Sequence, residues 1–178
     1  MNPIVVNLFA SPGSGKSTTA SGLFYNLKNE GVNAELTGEY AKDLTWAKRF
    51  NTLQDQIYVF GKQHHRVWRL QEDCDLIISD SPIIMGLAYA QDYPRCYKDT
   101  VKWAFDLYDN INFLIKRVKP YNPKGRRQTA EESASKHVEI QDLLSSYNIH
   151  FWNVDGDKEG LDFITQRVLN KIQQNSKK

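Results

Sequence analysis

The sequence predicts an α/β protein, in which a parallel sheet of about five strands carries helices on both of its faces. Short runs of apolar and β-branched residues alternate with segments whose apolar residues recur at helical spacing. The apolar runs are uninterrupted, which is typical of strands that helices cover on both sides. The chain has 178 residues, of which 40% are hydrophobic and 25% charged, and these values are typical of one globular domain.

Five apolar runs predict the strands, which lie at residues 4–9, 33–38, 76–78, 111–115 and 149–154. Helical periodicity predicts a helix after the first strand, a long helix over about 53–70, a helix around 140–147 and a closing helix around 161–172. Gly31 is the predicted stop of the first helix. The apolar stripe of the long helix contains Leu53, Ile57, Phe60, His64 and Val67.

Composition and charge exclude several classes of protein. The formal net charge is only +2, so the chain lacks the large basic field needed to wrap duplex DNA. The sequence has neither an apolar run long enough for a transmembrane helix nor the segments of a signal peptide. Cys74 and Cys96 fit neither a zinc site nor a disulfide scaffold, so we expect two thiols in a reducing cytoplasm. We expect one domain over residues 1–172 and a flexible tail over 173–178.

A glycine-rich segment at residues 10–18, hereafter the phosphate loop, lies between the first predicted strand and the first predicted helix. A strand, a glycine-rich turn and a helix in this order form a cradle for phosphate, because backbone N–H groups and the helix N-terminus point at one anion. Ala10 stands where the strict pattern has glycine. Lys16 is expected to reach the β- and γ-phosphates, and the Ser17 hydroxyl to ligate Mg²⁺. The predicted phosphate-binding residues are Ser11, Gly13, Ser14, Gly15, Lys16, Ser17 and Thr18.

With this loop the chain resembles the P-loop kinases of nucleosides and nucleotides, and within them a group of small AAA-type kinase-like proteins frequent in bacteriophages. The resemblance covers nearly the whole chain: the loop, an acid after the second strand, an acid after the third strand and a basic lid. It implies a three-layer P-loop NTPase fold. It also implies an enzyme that uses ATP and Mg²⁺ to phosphorylate a nucleoside or nucleotide.

Two acidic residues follow predicted strands. Asp80 ends the third strand, where the corresponding acid of P-loop proteins holds Mg²⁺ directly or through water, so Asp80 and Ser17 are the predicted metal ligands. A helix N-cap at Asp80 is a compatible alternative. Glu39 follows the second strand, and the resemblance implies that it accepts the proton of the attacking hydroxyl. Asp43 is its rival, and a favourable interaction with a helix dipole is the alternative for Glu39.

The predicted long helix places polar side chains at the edge of its apolar stripe. Gln56 and Gln63 lie one above the other, and Arg66 follows one turn later. An amide offers a donor and an acceptor together, which suits the edge of a nucleobase. Related deoxynucleoside kinases resemble this arrangement, so Gln56, Gln63 and Arg66 are predicted substrate residues, with a plain polar helix flank as the alternative.

A basic segment follows the fourth predicted strand, with six Lys or Arg residues among residues 116–128. Nucleotide kinases place an arginine-bearing lid here, so the resemblance implies a lid over about 117–128 that closes over the triphosphate. Arg117, Arg126 and Arg127 are the candidates for stabilising charge on the transferring group, since a guanidinium fork suits phosphate oxygens. A solvated basic loop is the alternative. Thr129 is the predicted N-cap of the next helix.

These features predict a kinase with ATP and Mg²⁺ as cofactors and a hydroxyl or phosphate of a nucleoside or nucleotide as the acceptor. One alternative keeps the chemistry but takes a hydroxyl in DNA or RNA, either a 5′ end or a hydroxymethylated base. A nicotinamide riboside kinase-like role and a P-loop NTPase without kinase activity are further alternatives. We expect a cytoplasmic protein, in the host cytoplasm if phage-encoded, without a membrane partner; a homodimer is compatible with the sequence.

Overall fold

The computed structural model describes residues 3–120 and 129–175. Within these residues five strands form one sheet, in the order β2-β3-β1-β4-β5, and every neighbouring pair is parallel. The fold class predicted from the sequence is confirmed, and each predicted apolar run overlaps a strand. The strands are β1 (Ile4–Ala10), β2 (Ala34–Thr37), β3 (Leu76–Ser79), β4 (Asp109–Lys116) and β5 (Trp152–Asp155).

Seven α-helices and one 3₁₀ helix surround the sheet in the same part of the chain. None of them combines the length and the apolar character that a helix needs to cross a bilayer. The helices are α1 (Lys16–Asn29), α2 (Tyr40–Trp46), α3 (Phe50–Gln54), α4 (Gln56–Trp68), the 3₁₀ helix (Ile83–Tyr89), α5 (Arg95–Asp106), α6 (Ala130–Ser146) and α7 (Lys158–Asn175).

The side chains of the central strand build two cores, because successive residues of a strand point to opposite faces. Val5 and Phe9 pack against the layer that contains α4, the 3₁₀ helix, α5 and α6. Val6 and Leu8 pack against α1 and α7 on the other face. Each large apolar side chain buried in this way contributes about 1.5–3 kcal/mol. Burial on both faces explains why β1 is an apolar run with little alternation.

A polar residue, Asn7, interrupts this run and is almost completely buried. Its amide donates hydrogen bonds to the side-chain oxygens of Asn110 (2.7 Å) and Asn112 (2.9 Å) on β4. Asn112 in turn donates to the backbone carbonyl of His150 (2.9 Å). Asn7 and Asn112 lie opposite each other in the sheet. The buried amides are therefore satisfied in one register of β1 against β4, which specifies that register.

Two helix boundaries predicted from the sequence are confirmed. Gly31 has a φ of 76°, and the N–H of Val32 bonds back to the carbonyl of Leu27 (3.0 Å), which ends α1 in a Schellman motif. Thr129 accepts a hydrogen bond from the N–H of Glu132 (3.2 Å), and the Glu132 carboxylate accepts one from the N–H of Thr129 (2.7 Å). This reciprocal pair is a capping box at the start of α6.

The predicted continuous helix over 53–70 is wrong in two respects. It breaks at Asp55, whose backbone leaves the helical region and whose side chain accepts a hydrogen bond from the N–H of Tyr58 (3.1 Å). Aspartate is a strong N-cap, and this preference divides the segment into α3 and α4. Ile57, which was assigned to the apolar stripe, is 61% exposed. The buried residues of α4 are Gln56, Gln63 and Val67.

The C-terminal helix is longer than predicted. α7 continues through Asn175, so residues 173–175 of the predicted tail are helical, while 176–178 lie outside the described residues. The Asn175 amide donates to a carboxylate oxygen of Asp109 (3.0 Å), and the ammonium of Lys171 lies 2.8 Å from the other oxygen. These contacts hold the end of α7 to the start of β4.

Candidate active site

Three neighbouring strands end at one edge of the sheet and bring three distant segments together. Thr37 of β2 lies opposite Ser79 of β3, and β3 pairs with β1, from which the phosphate loop extends. Glu39 follows β2 by two residues, and Asp80 follows β3 directly. Since parallel strands share their carboxyl edge, both acids lie beside the loop.

The phosphate loop is shaped by two glycines with positive φ, Gly13 at 85° and Gly15 at 89°. A residue with a Cβ is strained in this conformation, so glycine is required at both turns. Gly15 is the N-cap of α1, and because it has no side chain, its own atoms cannot cover the first-turn amides of the helix. Those amides and the helix dipole favour an anion in the loop.

The serines and the threonine of the loop lie in two different environments. The hydroxyls of Ser11 and Ser14 are buried and lie 3.0 Å apart. Ser17 and Thr18 are exposed at the start of α1. The loop therefore has a hydrogen-bonded interior and an open rim. Contact of these residues with a nucleotide remains a prediction.

Asp80 joins the two residues of the loop that were predicted to handle phosphate and metal. One carboxylate oxygen lies 2.9 Å from the ammonium of Lys16, and the other accepts a hydrogen bond from the Ser17 hydroxyl (2.7 Å). Lys16 also donates to the backbone carbonyl of Asp80. Asp80 is buried, and the N-cap of the 3₁₀ helix is Pro82. The carboxylate of Asp80 is thus directed at the loop and does not cap that helix.

Glu39 is the second acid in contact with the loop lysine. Its carboxylate lies 3.3 Å from the Lys16 ammonium, and a third of its side chain is exposed. Burial lowers the pKa of Lys16, but the charges of Glu39 and Asp80 and their hydrogen bonds outweigh burial and hold that pKa above its ordinary value of 10.5. Lys16 therefore stays protonated across the neutral range.

Two side chains of α4 fix the backbone on either side of Glu39. Gln63 accepts a hydrogen bond from the N–H of Tyr40 (2.9 Å) and donates to the carbonyl of Gly38 (3.2 Å). Arg66 donates to the same carbonyl (3.1 Å). Both ends of the Gln63 amide thus hold the segment that positions Glu39. The predicted contact of Gln63 with a nucleobase stays a prediction.

The rival acid Asp43 has a different environment. It forms an ion pair with Arg66 and is more than half exposed. Glu39, by contrast, contacts the ammonium of Lys16 in the loop. On geometry, Glu39 is the better candidate for the base because its carboxylate lies where phosphates would bind.

Gln56 lies in the packed junction between α3 and α4. Its amide donates to the carbonyl of Leu53 (2.8 Å), and its own backbone N–H and C=O bond to the hydroxyls of Tyr93 (3.1 Å) and Tyr97 (2.9 Å). Burial, together with the nearby Tyr93 and Asp55, raises the pKa of Tyr97 to about 12. The predicted substrate contact of Gln56 remains a prediction, whereas its contacts here support the fold.

The Ser17 hydroxyl and the Asp80 carboxylate could bind a magnesium ion that is also bound by the phosphates of a triphosphate. The Ser17 hydroxyl and the Asp80 carboxylate are hard oxygen donors, and they already touch each other. Within residues 3–120 and 129–175, no cluster of three or more His, Cys, Asp or Glu side chains could hold an ion. Phosphate oxygens and water would complete the coordination around these two side chains, as Mg²⁺ prefers.

The turn between β5 and α7 packs directly against the phosphate loop. The N–H of Gly156 donates to the carbonyl of Lys116 (2.8 Å). A Cβ on Gly156 would lie only 2.4 Å from the backbone oxygen of Ser14 and 3.0 Å from that of Lys116. Backbone atoms cannot swing aside as a flexible side chain does, so this close approach requires glycine.

Gly156→Ala is expected to displace the phosphate loop and raise the KM for ATP about tenfold, since overpacking of this kind costs about 1–3 kcal/mol. Steady-state kinetics at varied ATP would measure the KM, and a thermal melt would measure the cost to stability. Gly61→Ala is the matched control, because nothing lies within 4 Å of a Cβ built at that position in α4. An unchanged KM in Gly156→Ala would contradict the packing argument.

Ser133 of α6 is a contact to the loop that the sequence did not reveal. It is 1% exposed, and its hydroxyl donates to the carbonyl of Pro12 (2.7 Å) and lies 3.2 Å from the hydroxyl of Ser11. The first turns of α6 are therefore tied to the loop backbone. A single serine in a helix gives no sequence pattern by which such a role could be found.

Ser133→Ala should loosen this attachment, raise the KM for ATP about threefold to tenfold and lower stability by about 1–2 kcal/mol. Ser145→Ala is the control on the same helix, because its exposed hydroxyl bonds only within α6, to the carbonyl of Gln141. Equal effects of the two substitutions on KM would show that Ser133 does not position the loop.

Tyr89, at the end of the 3₁₀ helix, is a second residue near the site that sequence reasoning missed. Its ring is about half exposed, and the ammonium of Lys136 lies 4.8 Å from the ring centre. Burial raises the pKa of Tyr89, and the negative charges of Glu39 and Glu139 raise it further. No sequence motif marks Tyr89.

The basic lid predicted over 117–128 lies largely outside the described residues, and so do Arg126 and Arg127. Arg117 directly follows β4 and is partly buried. The carboxyl end of β4 is at the same edge of the sheet as the phosphate loop. The role of the lid and the choice among its arginines remain predictions.

The sheet order, the loop after the central strand β1 and the acids after β2 and β3 on one side of that strand define a P-loop protein. Residues 5–160 match a protein family described as an AAA domain, and the chain belongs to that family. No curated protein matches the sequence.

Solved structures show where else this fold occurs. Deoxyadenosine kinase from M. mycoides with bound dCTP has a TM-score of 0.52 and 17% identity over 96% of this chain and 99% of its own. The same kinase with the products dCMP and a flexible dCDP has a TM-score of 0.53 and 16% identity, covering 97% and 99%. NadR in complex with NR has a TM-score of 0.59 and 19% identity over 89% of this chain and 44% of its own. The chain therefore has the fold of P-loop nucleoside kinases.

Proposed function

We propose that this protein transfers the γ-phosphoryl group of ATP to a hydroxyl of a nucleoside or nucleotide in the presence of Mg²⁺. The observation that carries the proposal is the contact of the Lys16 ammonium with both Glu39 and Asp80 at the ends of adjacent strands. A cation, a metal-type oxygen pair and a partly exposed carboxylate are the groups that phosphoryl transfer needs. The likeness to a deoxyadenosine kinase supports a nucleoside as the acceptor.

The loop residues bind and orient the triphosphate. The amides at the start of α1 donate to phosphate oxygens, and Lys16 exchanges its two carboxylate partners for the oxygens of the transferring group. Ser17 and Asp80 would hold Mg²⁺, which when bound neutralises charge on the phosphate oxygens. Arg117, with Arg126 and Arg127 of the predicted lid, would add positive charge to the transferring group and exclude water.

Glu39 acts as the general base. Once Lys16 turns to phosphate, a carboxylate oxygen of Glu39 is free to accept the proton of the acceptor hydroxyl. The hydroxyl oxygen bonds to the γ-phosphorus while the bond from that phosphorus to the bridging oxygen breaks, and ADP leaves. Gln63 and Arg66 support this step by fixing the backbone beside Glu39.

Transfer of label from γ-labelled ATP tests the proposal. Free nucleosides and nucleoside monophosphates are offered in parallel, and label on either class is the expected result. Label recovered only as inorganic phosphate would contradict the proposal and indicate an NTPase. Omission of Mg²⁺ should abolish transfer.

A further inference from the structure

The exposed side of α4 combines cations with aromatic rings. With 3.6 residues per turn, side chains three, four and seven positions apart share one side of a helix, opposite the buried Gln63 and Val67. We call this surface the α4 basic face; it consists of Tyr58, Lys62, His65, Arg66, Trp68 and Arg69.

A cavity of about 350 Å³ lies between this face and the end of β2. Residues 36–38 and Tyr40 form one wall, and Lys62, His65, Arg66 and Arg69 form the other. This volume is within the range of small-ligand sites. The lining includes Gly38 and Tyr40, the chain neighbours of Glu39, but not Glu39 itself, whose carboxylate faces Lys16.

The charge of the face favours an anionic ligand. Residues 56–71 contain Lys62, Arg66 and Arg69 but no Asp or Glu, although the net charge of the whole chain is only +2. Arg66 pairs with Asp43 from α2. The positive charge is therefore concentrated on one helix face, where it attracts phosphate more strongly than an even surface of the same net charge.

The aromatic rings of the face are partly exposed, and each has a cation or a histidine on one side. Tyr58 is 41% and Trp68 is 48% exposed. The ammonium of Lys62 lies 5.4 Å from the centre of the Tyr58 ring, and His65 stacks on Trp68 at 5.9 Å. Exposed rings interleaved with cations are the surface on which single-stranded nucleic acid binds, with bases on the rings and phosphates on the cations.

The α4 basic face is long enough to contact several consecutive nucleotides of a strand. From Tyr58 to Arg69 the helix rises about 16 Å, which is longer than one nucleotide. Several phosphates and bases could therefore be held at once, while a single nucleotide would leave most of the face unused.

We propose that the α4 basic face and its cavity bind single-stranded nucleic acid and present a hydroxyl of that strand to Glu39. Phosphates contact Lys62 and Arg69, and bases stack on Tyr58 and Trp68. The acceptor role rests on the proposed function, whereas strand binding does not. A hydroxyl at the end of a strand is thereby an acceptor in addition to the free nucleosides and nucleotides of the proposed function.

Binding is measured without ATP, by fluorescence anisotropy of DNA and RNA strands of about ten nucleotides with 5′-hydroxyl ends. At about 0.1 M salt, the Lys62→Ala, Arg69→Ala double variant should bind roughly 10- to 30-fold more weakly, and its log–log salt slope should be less steep by about 1.4. Trp68→Ala should weaken binding at least about fivefold. The Lys158→Ala, Arg167→Ala double variant removes the same charge from α7 and should bind like the unsubstituted protein.

Equal losses in the two double variants would overturn the assignment of the face. Displacement of the strand by a mononucleotide or a poly-glutamate peptide at the same concentration of charge would also overturn the assignment, because it would indicate a general anion site. If no strand binds but label reaches free nucleosides, this inference fails and the proposed function stands. If the strand binds on the face but label reaches no hydroxyl, strand binding stands and the proposed function fails.

Discussion

Lys16→Ala is expected to lower the rate of phosphoryl transfer about a thousandfold. Lys16 is the cation of the phosphate loop, and its ammonium lies 2.9 Å from Asp80 and 3.3 Å from Glu39. A positioned charge in a site from which water is excluded contributes more to the transition state than any exposed charge, and loss of one such donor costs about 10²–10³ in rate. Single-turnover transfer from γ-labelled ATP measures the effect.

The same substitution removes the partner of a buried carboxylate. Asp80 would keep its hydrogen bond from Ser17 but lose its cation, at a cost to stability of about 3–5 kcal/mol.

Lys16→Arg keeps the charge and therefore the fold, yet a guanidinium does not fit a loop closed around a lysine, so transfer should still fall at least about a hundredfold. Lys28→Ala, at the other end of α1, is the control. Transfer within about threefold of normal in both Lys16 variants would rule out the phosphate-loop assignment.

The stabilising effect of Lys16 should also depend on pH in a defined direction. Because its pKa is raised in the folded protein, its contribution is fully present below 10.5 and is lost as pH rises through the folded value. The difference in unfolding free energy between the natural protein and Lys16→Arg should stay small up to about pH 9 and then shift in favour of Lys16→Arg, because a guanidinium keeps its charge where the Lys16 ammonium loses it. The difference from Lys16→Ala should be constant between about pH 7 and 9 and should shrink at more alkaline pH.

Glu39→Gln is expected to lower turnover by about 10²–10⁴ while changing ATP affinity less than about threefold. Glutamine keeps the size of the side chain and can still accept a hydrogen bond from Lys16. Its amide cannot take the proton of the attacking hydroxyl. Gln63 and Arg66 hold the flanking backbone in either case. Turnover and an ATP-binding titration on the same preparation separate chemistry from binding.

Asp43→Asn is the matched control for that substitution. Asp43 pairs with Arg66 on the surface, so its neutralisation should lower turnover less than about tenfold. A larger loss in Asp43→Asn than in Glu39→Gln would transfer the role of base to Asp43. Parallel losses of turnover and ATP affinity in Glu39→Gln would make Glu39 a structural residue.

The sheet could be predicted from the sequence because its strands are buried on both faces. Residues 4–10 are an apolar run broken only by Asn7, residues 113–115 form a second apolar run, and the glycine-rich loop after the first of them indicates the fold. The end of α1 at Gly31 and the start of α6 at Thr129 could also be predicted, because both caps depend on residues close in the chain. The break at Asp55 was missed because a helical pattern on both sides concealed a single capping residue.

The site was only partly predictable, for a physical reason. Lys16, Ser17 and Asp80 follow strands in a known pattern, so their meeting could be expected. The hydrogen bonds of Gln63 to the backbone beside Glu39 and of Ser133 to the phosphate loop depend on how helices far apart in sequence pack together. No periodicity or motif encodes such contacts.

The central position of β1 has a consequence for how the chain folds. Ile4 pairs with Leu76 on one side and with Asp109 on the other, so the first strand made is enclosed by strands that are synthesised much later. Such distant pairings slow folding, because the closure of long loops precedes the gain in contacts. On the ribosome the phosphate loop would lack its packing contacts until Ser133 and then Gly156 have emerged. Nucleotide binding is then a late event, and a nascent chain interrupted before that point exposes an apolar strand instead of a binding site.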